Sequence, residues 1–235
     1  VIVADVDGEN NTDYYLNALV AGNKLTFSGD ITSAVTRVGE TATDIPVSGG
    51  QFTITPEPIS ALNPIDEIIS ITKSDGSVYN IHTINEFLPI LYITIDEEKP
   101  LAGVYSFTAD KCMLRIDTEG NIVYYRNMGH LNENGLENFK PQDAEDGRYY
   151  TYSLELNPDR RGMGIINGMY VVMDKDYKEI DYITLAANND NNHTHGEGYL
   201  DEHEFLLLSR NHWISLSYTP MYVNNLEGGG IDGGN

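Results

Sequence analysis

The sequence predicts an all-β chain: a small Ig-like N-terminal β-sandwich over residues 1–98, then the first blades of a β-propeller over residues 99–235. Three observations carry that expectation. The 235 residues include 22 Gly and 16 Tyr but one Trp and one Cys. Much of the rest is Thr, Ile, Val and Asn, a mixture that favours strands and turns over helices. Short alternating runs fill the first region, and a longer strand–turn–strand unit recurs in the second.

In the first region the runs are Lys24-Leu-Thr-Phe-Ser28, Ala34-Val-Thr-Arg-Val38 and Gln51-Phe-Thr-Ile-Thr55. Ile68-Ile-Ser-Ile-Thr72 then passes through Ser74-Asp75-Gly76, a hairpin turn signal, into Val78-Tyr-Asn-Ile-His82. Strands at roughly ten-residue spacing suit a small antiparallel sandwich. Tyr15, Leu16, Leu19 and Val20 share one face at helical spacing, so a short helix is expected across Thr12–Val20. The charged, Pro-ended stretch Ile95-Asp-Glu-Glu-Lys-Pro100 reads as the linker.

The second region repeats itself. Met113-Leu-Arg-Ile-Asp117, Thr118-Glu-Gly-Asn121 and Ile122-Val-Tyr-Tyr-Arg126 form one strand–turn–strand unit. Met169-Tyr-Val-Val-Met-Asp174, Lys175-Asp-Tyr-Lys178 and Glu179-Ile-Asp-Tyr-Ile183 form another, with Asp174 lying 57 residues after Asp117. Gly147-Arg-Tyr-Tyr-Thr-Tyr-Ser153 is matched by Asn211-His-Trp-Ile-Ser-Leu-Ser-Tyr218. Repeats of this kind mark propeller blades, here with long connecting loops; an ordinary antiparallel meander is the alternative. The material from Asp110 to Tyr218 suffices for about two blades, and closure takes at least about four. The expectation is therefore an incomplete ring, truncated or completed by another chain. The start at Val1, with neither an initiator Met nor a signal peptide, reads as a mature or trimmed chain.

Charge excludes some partners. Lys and Arg number 14 against 36 Asp and Glu, a net −22. Neither nucleic acid nor anionic lipid is an expected partner, because both need a basic face. No apolar run approaches the ~20 residues of a membrane helix. Residues 1–98 hold three basic residues, whereas 99–235 hold eleven and five of the six His. Cys112 stands alone, so no internal disulfide or multi-cysteine zinc site is expected, and a buried free thiol is.

The densest chemistry lies in Asn188–Phe205, where His193, His195 and His203 sit in a polar stretch entering Leu206-Leu-Leu-Ser209. A His at the entry to an inner strand would act as acid, base or nucleophile, with Asp201, Glu202 and Glu204 near enough to orient it. A metal held by His193 and His195 with Glu197 or His203 is a second reading, although the spacing fits no zinc motif. A solvated Asn/Asp/His loop is the third. Asp5–Asp13 lacks the Gly position of a calcium loop, and Asp159-Arg160-Arg161 reads as a solvated loop with some capacity for anions. No Ser nucleophile elbow, P-loop or dinucleotide fingerprint is present, and no cofactor is expected.

Three segments resemble the bacterial aryl-sulfate sulfotransferase family. They are Met113–Arg126, Tyr170–Ile183 and Asp201-Glu-His203-Glu-Phe205 through Tyr218. The last is similar to the family's His-Asp-Phe signature, with Glu204 in place of Asp. The Ser74–Thr83 hairpin and Leu88-Pro89 resemble its N-terminal domain. The resemblance implies sulfuryl transfer from a phenolic sulfate ester to a phenol, without a nucleotide donor, through a transiently sulfated channel His. It implies that His203 is the first channel His, a stabiliser or general acid, with His195 and His193 as further candidates. The nucleophilic His belongs to a later blade, which lies beyond this chain. The implied partners are aryl sulfates and phenols, with a homodimer, and the implied location is extracellular or periplasmic. The competing function is a secreted, non-catalytic binding or structural module on the same scaffold.

Overall fold

The computed structural model describes residues 4–6, 12–84, 88–92, 102–129, 135–155, 168–184 and 199–218. Among them every regular element is a strand, so the all-β expectation holds, and none of the sheets closes on itself. Two compact units form, Val1–Lys140 and Pro141–Asn235. The linker proposed at 95–100 lies outside the described residues.

The first unit holds three sheets. The largest has β1 (Ala4–Val6), β2 (Asp13–Leu16), β10 (Val78–His82), β9 (Glu67–Lys73), β5 (Ile31–Val38) and β6 (Thr41–Ile45), in that spatial order. Its neighbours run antiparallel except β2 and β10, which pair in parallel. β4 (Leu25–Ser28) pairs with β7 (Gln51–Ile54), stacking Phe27 on Phe52 with ring centroids 4.9 Å apart. The third sheet is β11 (Val104–Ala109), β12 (Cys112–Asp117), β13 (Asn121–Asn127) and β3 (Ala18–Val20), with β8 (Ile59–Ser60) also on β13.

The helix expected over Thr12–Val20 is not formed. Tyr14 and Tyr15 are strand formers, and Asp13, Tyr14 and Tyr15 pair with Asn80, Ile81 and His82. After Asn17 the chain turns to lay β3 against β13. Tertiary pairing thus overrides the weak 3.6-residue periodicity.

One core runs through this unit from both sides of the composition boundary. Leu16, Ile31, Phe52, Ile69 and Ile81 join Cys112, Leu114, Ile116, Ile122 and Tyr125. Burial, with Asp110 adding, pushes the Cys112 thiol up to about 11, so it stays protonated and unreactive. The buried Tyr125 hydroxyl lies 2.6 Å from the Thr83 carbonyl oxygen and 2.9 Å from that of Leu16, sharing its proton between them. Tyr125→Phe leaves both carbonyls without this donor. The expected loss is ~1–3 kcal/mol in urea unfolding, and an unchanged midpoint would contradict it.

The repeated hairpins share their turn chemistry. Asp117 Oδ1 accepts the N–H of Glu119 at 2.9 Å and of Asn121 at 2.8 Å. Asp174 Oδ1 accepts those of Asp176 at 2.9 Å and Lys178 at 3.0 Å. The 57-residue repeat is therefore a repeat of the same side-chain-closed turn. Gly120 takes the left-handed position of the first turn, φ 83°, where glycine meets no steric cost. Tyr177 takes it in the second, φ 60°, and its ring stacks on Tyr150 at 4.4 Å, a contact that offsets the strain.

In the second unit, β15 (Gly147–Glu155), β16 (Gly168–Met173) and β17 (Glu179–Ile183) continue an antiparallel sheet that opens with β14 (Leu136–Ala144). β18 (Tyr199–Ser209) and β19 (His212–Tyr218) form a separate hairpin. Tyr170, Val172, Ile183, Leu200, Phe205 and Leu207 make its core.

Candidate functional site

His203 sits in an irregular part of β18. Leu200 pairs with Ser217 and Phe205 with Ser215, so residues 201–204 stand opposite Leu216 alone. Such a bulge breaks alternation and re-aims side chains. Here Asp201 and Glu202 are both buried, and His203 and Glu204 are both exposed.

Both flanks of the bulge are fixed. Gln142, from β14, is buried and donates its side-chain amide to Thr151 Oγ1 at 3.1 Å and to the Phe205 carbonyl at 2.9 Å. Phe205 stacks on Tyr170 at 4.5 Å and on Trp213 at 5.8 Å. On the other flank the Ser153 hydroxyl donates to the Glu202 carbonyl at 3.4 Å. Gly168 on β16 leaves room for the bulge, since a Cβ there would lie 3.2 Å from the Leu200 carbonyl oxygen and 3.3 Å from Glu202 Cβ. Gly168→Val forces these apart and is expected to cost ~1–3 kcal/mol by overpacking. Thermal melts check this, and an unshifted melting temperature would contradict it.

Asp201 organises the histidine. Its Oδ1 accepts the His203 backbone N–H at 2.8 Å and lies 2.5 Å from ring Nδ1. The carboxylate side chain is 4% exposed and the imidazole 62%. A buried carboxylate on Nδ1 fixes the ring's orientation and places a proton there. Of the three acidic neighbours expected to orient the ring, Asp201 contacts it; Glu204 accepts the Phe205 N–H at 3.0 Å.

His193 and His195 lie outside the described residues, as do Glu197, Arg160 and Arg161. Among the described residues, no group of three His, Cys, Asp or Glu side chains is arranged to hold a metal ion.

A second histidine centre was not anticipated from the sequence. On β10, His82 Nδ1 lies 2.5 Å from Asp66 Oδ2, and its Nε2 lies 3.4 Å from Asp13 Oδ1. The Tyr15 ring stacks on the imidazole at 4.7 Å. Asp66 Oδ1 also accepts the Ile84 N–H at 3.0 Å and the Thr83 hydroxyl at 3.3 Å. Asn80 Nδ2 donates to Asp13 at 2.8 Å, and Ser70 donates to Asn80 Oδ1 at 2.8 Å. The one sequence signal was the alternation of Asn80 and His82 on a strand. Their carboxylate partners are 16 or more positions away. With both ring nitrogens engaged, this cluster is a structural bridge, whereas the His203 ring is 62% exposed.

Fold and site define an all-β protein that carries a carboxylate-oriented histidine on a bulged strand. No protein-family model, curated protein or solved structure matches the chain.

Proposed function

We propose that this chain is part of an aryl-sulfate sulfotransferase-like protein, with an N-terminal Ig-like sandwich followed by opening propeller blades. The observation that carries the reading is the Asp201–His203 pair. Its buried carboxylate, bulged strand and exposed imidazole suit a histidine that meets a substrate. Supporting it are the paired Asp-closed hairpins and the four-strand order β14-β15-β16-β17.

In the proposed reaction the S–O bond to the donor's aryl oxygen breaks, and an S–O bond to the acceptor phenol forms. The acceptor gives up its hydroxyl proton, and the departing phenolate takes one. A nucleophilic His elsewhere carries the sulfuryl group between the two steps. His203, protonated on Nε2, donates to the departing oxygen or to a sulfuryl oxygen as charge develops there. His195 and His193 are proposed to face the same site. In a chain of net charge −22, these rings supply the local positive charge that a sulfate ester needs. The same reading places the protein outside the cytoplasm and leaves room for a homodimer.

The test is transfer. Incubation of the longer protein, of which this chain is proposed to be part, with 4-nitrophenyl sulfate and a phenol acceptor is expected to release 4-nitrophenol and to leave the sulfuryl group on the acceptor. An intact donor would favour the binding module, and inorganic sulfate as the only sulfur product would overturn the transferase reading.

A further inference from the structure

We infer that Gln142 is a positioning residue for His203: its buried side-chain amide holds β18 in the bulged register that keeps Asp201 inside and the imidazole outside. The inference rests on the proposed sulfuryl transfer only for the use made of the ring. The geometry stands apart from it. Gln142, on β14, donates to the Phe205 carbonyl at 2.9 Å and accepts the Leu207 N–H at 3.4 Å. One side-chain amide thus binds two residues of β18, as the backbone of a neighbouring strand would.

A strand's backbone groups serve its two edges alternately, so those of Phe205 and Leu207 serve the same edge. A carbonyl only accepts and a backbone N–H only donates, which gives the Gln142 amide one orientation that suits both. Its Nε2 also donates to Thr151 Oγ1 at 3.1 Å. Thr151 and Ser153 lie two residues apart on one face of β15, and both are fully buried. Ser153 takes the other flank of the bulge, donating to the Glu202 carbonyl at 3.4 Å. The two flanks are therefore tied to neighbouring points of one sheet.

Between these ties, residues 201–204 stand opposite Leu216 alone. A bulge that is not pinned can slide along its strand, and a slip of one residue exchanges buried and exposed sides. Here a slip would separate the buried Asp201 carboxylate from the exposed His203 ring. A Met at position 142 would fill the same space. It would leave the Phe205 carbonyl and the Leu207 N–H without this partner, so nothing in its chemistry would select the register. The satisfied amide does select it.

His203 carries a signature of its own position. Its backbone N–H donates to Asp201 Oδ1 at 2.8 Å, and ring Nδ1 lies 2.5 Å from the same atom. The N–H proton of an exposed imidazole is lost to exchange with water unless a hydrogen bond holds it. The Nδ1 proton is therefore visible by NMR while the register is kept. Thr151→Val is the comparison for a merely structural loss. It removes one bond from the same amide and none from β18, so it lowers stability without moving the ring.

The test is the NMR spectrum of the 235-residue chain carrying isotope-labelled histidine, with the His203 signals identified by their loss in His203→Gln. The wild type is expected to show the His203 Nδ1 proton, Thr151→Val to keep it and Gln142→Met to lose it. In the longer protein, Gln142→Met is expected to lower kcat about tenfold with KM nearly unchanged. One measurement needs no variant to fold. In the wild type the side-chain amide protons of Gln142 are expected to exchange with water far more slowly than those of the exposed Gln51. Equal exchange at the two glutamines would overturn the proposal. So would a His203 Nδ1 proton that is absent from the wild type, lost in folded Thr151→Val or retained in folded Gln142→Met. An unchanged kcat in Gln142→Met would overturn it as well. Absence of sulfuryl transfer from the longer wild-type protein would instead overturn the proposed function, and the NMR results would still decide the role of Gln142.

Discussion

Phe205→Ala is expected to destabilise the second unit by ~3–5 kcal/mol, the usual cost of emptying a large, fully buried aromatic site. The ring has no exposed surface and stacks between Tyr170 and Trp213. Its backbone carbonyl also receives the buried Gln142 amide, so collapse around a cavity would disturb hydrogen bonds as well as packing. Trp213 is the chain's single tryptophan, so its fluorescence during urea unfolding reports this site directly. Phe205→Leu, which keeps more of the volume, is expected to lose less. Equal midpoints for wild type and Phe205→Ala would mean that the aromatic stack does not hold the hairpin.

The second large effect is on chemistry. In the longer protein of which this chain is proposed to be part, His203→Ala is expected to lower the proposed sulfuryl transfer by ~10²–10⁴-fold, the range for losing a positioned acid–base group. Its ring is exposed, so the substitution removes little core packing and the fold should persist. Asp201→Asn is expected to lose less, on the order of 10–100-fold, because Nε2 would be misplaced and not removed. That loss should fall on kcat with KM nearly unchanged, since Asp201 acts through His203 and not on the substrate. A loss confined to KM, or none at all, would leave Asp201 as a purely structural residue that accepts the His203 backbone N–H.

Much of the strand pattern was legible because it depends on near neighbours. Alternation in Gln51–Thr55, Ile68–Thr72 and Val78–His82 located β7, β9 and β10. Ser74-Asp75-Gly76 located their turn, where Asp75 accepts the Ser77 N–H at 2.9 Å and Gly76 has φ 82°. Asp117 and Asp174 marked the paired turns for the same local reason. Long-range pairing was not legible. Tyr15, Leu16, Leu19 and Val20 gave a helical spacing, but the partner of Tyr15, His82, lies 67 residues on. Likewise β3 and β8 join β13, so one core crosses a boundary that composition alone had drawn near residue 98.

The same distinction governs the two histidine centres. His203 stood out because acidic residues crowd it in sequence, and Asp201, two positions earlier, contacts its ring. The bulge that exposes the ring could not be read, since it arises from register against β19. His82 drew no attention because Asp66 and Asp13 reach it only after folding.

The proposed role of His203 in sulfuryl transfer can be measured in the longer protein of which this chain is proposed to be part. It is tested most directly by comparing 4-nitrophenol release from 4-nitrophenyl sulfate, with a phenol acceptor present, between wild type and His203→Ala. Circular dichroism confirms that both are folded. Turnover is expected for the wild-type longer protein, with a loss of at least ~10²-fold in its variant. Equal rates in the two proteins would contradict it.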